Sequence, residues 1–126
     1  MKTKIILTMT VVSFLFSSVY ASTSISGGNV SGTWTLSGSP YYINGDISVP
    51  NGNTLTIEAG VEVYFTNLYK FEVLGRVLAI GTPSNYIWIQ GSSKYGFKGI
   101  RYNSTPATND TSRFSYCYII WSEKNS

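Results

Sequence analysis

An all-β chain wound as a β-solenoid is the fold this sequence predicts, on three observations. Short apolar-x-apolar pairs recur between clusters of Gly, Pro, Asn and Asp. The pairs return at spacings in the twenties, as stacked coils would. Beyond Ala21 no stretch carries the sustained apolar spacing of a helix, and Gly, Ser, Thr, Asn, Tyr and β-branched residues dominate.

The first element precedes the fold. Met1-Lys2-Thr3-Lys4 is basic, residues 5–16 form an apolar run broken only by Thr8, Thr10 and Ser13, and Val19 and Ala21 sit in a small-x-small arrangement. A charged start, a short apolar core and such a site predict a secretory signal peptide over 1–21. The run is shorter than the roughly 20 apolar residues of a membrane span, so the mature chain is expected to be exported and free of the membrane. Removing Lys2 and Lys4 from the nine basic residues leaves seven against six acids, a net +1 spread along the chain. No basic patch remains for nucleic acid.

The sequence has one cysteine, Cys117, and no histidine. That rules out an internal disulfide and removes the commonest zinc ligand and general base. No cofactor or metal is expected, and Cys117 reads as a buried structural thiol.

Residues 22–33 are polar and Gly-containing and are expected to form a flexible lead-in. Residues 34–43 are expected to cap the open end of the bore. The coil pairs follow. Leu55/Ile57 returns as Leu78/Ile80, with Phe114/Tyr116 as a further copy, and Val61/Val63 returns as Ile87/Ile89. Ile47/Val49 returns as Phe71/Val73, and that pair returns in turn as Ile100/Tyr102. Each coil would hold about three strands, with equivalent strands paired in parallel about 4.8 Å apart. An antiparallel sandwich or meander shows the same alternation and stays open at this level. Residues 103–112 read as an inserted polar loop, and 114–121 as a strand of one more coil. The expectation is about three coils over 34–126, truncated before further β-helix coils downstream.

The stretch WTLSGSPYYINGDISVPNGNTLTIEAGVEVYF (34–65), with FEVLGRVLAIGT (71–82) and GIRY (99–102), resembles the N-terminal entry of right-handed parallel β-helix proteins of the pectin-lyase-like superfamily, notably large secreted or surface proteins of bacteria. The resemblance covers about residues 34–121 and implies a right-handed parallel β-helix. Ala59 departs from it, because relatives usually carry Pro before Gly60; the turn is expected to survive because Gly60 supplies positive φ. The resemblance also implies, for enzymatic relatives, clustered carboxylates on adjacent coils, often with calcium and a basic partner.

No catalytic constellation is apparent. Calcium takes six to eight oxygen ligands and glycoside hydrolysis takes two spaced acids, whereas the acids here stand singly. Glu58 and Glu62 flank one turn without a basic partner. Glu72 and Arg101 are predicted to point outward on adjacent coils as an exposed ion pair. Sequons at Asn29, Asn103 and Asn109 are no more than a chain rich in Asn, Ser and Thr supplies. The outward aromatics are the remaining signal. Alternation turns Glu62, Tyr64, Trp88 and Gln90 away from the bore, with Trp88 beside Glu62 and Tyr64 one step along. Such a group suits a polysaccharide or cell-surface glycan. The function expected is a non-catalytic scaffold, adhesin or glycan-binding module. The alternative is the entry segment of a polysaccharide lyase or glycoside hydrolase whose catalytic coils lie downstream.

Overall fold

The computed structural model describes residues 21–103 and 111–120. Residues 1–20, on which the expected signal peptide falls, most of the loop after Asn103, and Trp121 onward lie outside them. The described chain is all-β. Its strands, in groups of three, are β1 Thr23–Ile25, β2 Gly28–Asn29 and β3 Gly32–Trp34; β4 Tyr41–Ile43, β5 Ile47–Val49 and β6 Thr54–Ile57; β7 Glu62–Phe65, β8 Phe71–Val73 and β9 Arg76–Ile80; β10 Ile87–Gly91, β11 Ile100–Tyr102 and β12 Arg113–Ser115; and finally β13 Cys117–Ile120. Each strand pairs with the strand three further along, always in parallel.

Three sheets result: β1-β4-β7-β10-β13 (sheet A), β2-β5-β8-β11 (sheet B) and β3-β6-β9-β12 (sheet C). Stacked parallel sheets with this i, i+3 pairing are consistent with a parallel β-helix and leave no room for an antiparallel sandwich. Among the described residues the chain makes four turns and opens a fifth, where about three coils are expected. The extra turn comes from residues 22–33. They are not a loose lead-in: β1, β2 and β3 pair with β4, β5 and β6. The expected cap over 34–43 is correspondingly part of the winding, a 3₁₀ turn at Leu36–Gly38 followed by β4.

The core is built by alternation. Ile43, Ile47, Val49, Leu55, Ile57, Val61, Val63, Phe65, Phe71 and Val73 are almost or wholly inaccessible, and their neighbours along each strand point out. Register stacks them in columns such as Ile47–Phe71–Ile100. Trp34 and Tyr41 stack at 4.9 Å near the first coil, and the Tyr41 hydroxyl donates to the Thr35 carbonyl. No polar or charged side chain is buried among the described residues.

Three of the four predicted returns hold in register: Val61/Val63 with Ile87/Ile89, Ile47/Val49 with Phe71/Val73, and Phe71/Val73 with Ile100/Tyr102. The fourth is displaced by one residue. Leu55 pairs with Val77, and Ile57 with Ala79, so Val77 and Ala79 enter the bore while Leu78 and Ile80 face out, Ile80 being 42% exposed. A one-residue slip exchanges the two faces. The cause is Arg76: keeping its guanidinium out of the bore sends Val77 in. Further on, Phe114 stands over Ala79 and packs against the core, whereas Tyr116 leaves the pattern at φ +52°.

Candidate outer face of sheet A

Each of the four residues singled out in the sequence lies on the outer face of sheet A. Trp88 is the register partner of Glu62, and Gln90 that of Tyr64. They form a two-by-two block on neighbouring strands β7 and β10, with the rings on one diagonal. Glu62 is exposed; Tyr64, Trp88 and Gln90 are half-buried. The buried Val63, Ile87 and Ile89 of the same strands, with Val61 just ahead of β7, hold the block against the core.

The face is more aromatic than the sequence pattern suggests. Tyr42 is the partner of Tyr64 on the preceding coil, their rings tilted at 6.0 Å. Tyr118 is the partner of Trp88 on the following coil, stacked at 4.3 Å. Tyr118 also stacks on Tyr86 at 4.7 Å, and Tyr86 meets Tyr116 edge-on at 5.7 Å. What covers one side of Trp88 is therefore a ring of the next coil. On its other side the register neighbour is the exposed carboxylate of Glu62. Tyr42 escapes the sequence reading because residues 34–43 read as a cap, and Tyr86 and Tyr118 because β13 returns after a longer stretch of chain than the one separating β7 from β10. A pairing of Ile87-Trp-Ile-Gln with Cys117-Tyr-Ile-Ile is the signal that could have found the last of these.

The described carboxylates elsewhere are committed to the winding. Asp46 Oδ1 accepts from the Lys70 amide at 2.9 Å, and Glu58 Oε1 from the Leu36 amide at 2.9 Å. Glu58 thus tethers the neighbouring coil instead of sharing a site with Glu62. Gly60, in the turn between them, has φ +84°, as the departure at Ala59 requires. Arg101 is the register partner of Glu72, but the expected ion pair is replaced: Glu72 Oε2 accepts from Asn103 Nδ2 at 2.9 Å.

Cys117 is half-buried and lies in a bore column with Val61 and Ile87. Its Sγ lies 3.3 Å from the Ala79 carbonyl and 3.4 Å from that of Ser115. Burial pushes the thiol pKa up, and the Ser115 contact opposes this less strongly. Such a thiol is held protonated and is a poor nucleophile. No group of three or more Cys, Asp or Glu side chains that could hold a metal occurs among the described residues, and none of their helices is long and apolar enough to cross a membrane.

Comparison with protein-family models, with curated proteins and with solved structures found no match.

Proposed function

We propose that the protein is a non-catalytic, secreted or cell-surface module of the right-handed, pectin-lyase-like β-helix type, and that it binds a glycan on the outer face of sheet A. The observation that carries this reading is the block of Glu62, Tyr64, Trp88 and Gln90, flanked by two groups of rings, Tyr42 with Tyr64 and Trp88 with Tyr118 and Tyr86. Pyranose rings present C–H faces that pack on indole and phenol rings, while their hydroxyls need hydrogen-bonding groups beside those rings. Glu62 accepts, and Gln90 both accepts and donates. The strands beneath are anchored by fully buried residues, so little conformational entropy is lost when a sugar docks. A row of rings crossing successive coils suits an extended polymer. Export follows from the signal-like residues 1–21 and puts the face where polysaccharides are met.

A pull-down on insoluble polysaccharides tests the reading with wild type, Trp88→Ala and Trp88→Phe, all checked for native circular dichroism. Retention should fall about tenfold or more in Trp88→Ala, the loss of an aromatic contact, and recover in part in Trp88→Phe. Equal retention of all three removes the case for a sugar platform.

A further inference from the structure

We propose that the glycan is an amino sugar: the Glu62–Trp88 block takes a protonated amine in preference to a neutral or acidic sugar, an inference that rests on the glycan-binding reading above. Of the four described carboxylates, Asp46, Glu58 and Glu72 each accept a hydrogen bond that ties one segment of the winding to another. Glu62 does not. Its backbone N–H donates to Ser39 Oγ, while its carboxylate is exposed and carries no such bond. It is therefore the one described acid whose charge is unspent on the fold.

Its surroundings favour a cation. The register places the Trp88 indole beside it and the Tyr64 phenol one step along, and aromatic faces attract ammonium groups through the ring quadrupole. No basic residue stands among the outward positions of the strands of sheet A. Lys94, beyond Gln90 in the following loop, holds its ammonium over the Tyr95 ring at 4.9 Å. An anionic sugar would meet a carboxylate without a compensating cation, whereas an ammonium meets a carboxylate and two π faces together. Overall charge gives a polycation no help: without Lys2 and Lys4 the chain carries seven basic residues against six acids, a net +1, so any preference for one must arise locally.

Titration of the full chain with a glucosamine hexamer and with its N-acetylated counterpart, by calorimetry at mildly acidic pH and low salt, tests this. The glucosamine hexamer should bind about tenfold or more tightly than the acetylated one, as a charge-assisted hydrogen bond with a cation–π contact provides. Glu62→Gln should narrow that ratio to within about twofold, and Trp88→Ala should weaken both ligands. Equal affinities in the wild type, or a preference that survives in Glu62→Gln, overturn the amino-sugar assignment and leave the glycan-binding reading standing. Failure of both hexamers to bind also overturns the amino-sugar assignment, and the polysaccharide pull-down then decides the glycan-binding reading.

Discussion

Gly91 occupies the bore column below Phe65, and its missing side chain is what lets the chain fold back there. The Ser92–Gly96 bridge closes a small hairpin, and Phe97 stacks on Phe65 at 4.4 Å. A Cβ on Gly91 would lie 2.3 Å from the Gly96 carbonyl carbon and 2.5 Å from the Phe97 nitrogen. Those neighbours are backbone and cannot swing away. Gly91→Ala is expected to destabilise by about 1–3 kcal/mol as overpacking does, and to lower the thermal midpoint by about 4–8 °C per kcal/mol; an unchanged melting curve would contradict this packing. Cys117 makes a second residue-scale prediction. Its pKa is raised above the ordinary 9.0 by burial, so the folded state holds the thiol proton more tightly than the unfolded one. The stability this supplies is complete below the unfolded thiol's pKa and is lost as pH rises through the folded value. Alkylation at mildly alkaline pH should run slower in native protein than in denaturant, and Cys117→Ser should remove part of the alkaline loss of stability.

At the scale of the element, β9 carries the sharpest test. Its Val-Leu-Ala-Ile run offers apolar residues to both faces, and the register puts Val77 and Ala79 inside. Val77→Ser deletes buried methyls and buries a hydroxyl, and is expected to cost about 2 kcal/mol or more. Ile80→Ser changes an exposed side chain and should stay within about 0.5 kcal/mol. Urea denaturation decides between them, and the reverse order would restore the register read from sequence. The pairs legible in the sequence are those with one apolar face, such as Ile47-Ser-Val49 and Phe71-Glu-Val73, where the polar middle residue declares its side. In β9 only Arg76, just outside the apolar run, declares it. β2 is Gly28–Asn29 and has no apolar side chain to read at all, which is why the first coil reads as a tether. The site is legible to the same extent as its strands. Glu62, Tyr64, Trp88 and Gln90 follow from the pairing of β7 with β10, while the Tyr118 and Tyr86 rings depend on the longer return to β13.

For the molecule as a whole, the winding tolerates unequal coils because length is taken up at the corners. In sheet A the successive partners Thr23, Tyr41, Val63, Ile89 and Ile119 are separated by stretches of chain that lengthen at every step, yet the strands stay in register. Corner side chains help to hold them: Asp46 and Glu58 each accept an amide from another coil, and Ser112 Oγ accepts the Val77 amide at 2.9 Å. Repeats of this kind stack on nearest neighbours, so the same parallel pairing that buries the core also assembles the outer aromatic face. Everything argued for that face depends on β7, β10 and β13 lying side by side in parallel. Nuclear Overhauser spectroscopy on labelled protein tests this most directly. Parallel pairing predicts contacts between the Trp88 and Tyr118 rings, amide-to-Hα contacts linking residues 88–90 to both 62–64 and 118–120, and no strong inter-strand Hα–Hα contacts in sheet A. Strong Hα–Hα contacts across these strands, the mark of antiparallel neighbours, would contradict the stacked coils and the binding face built on them.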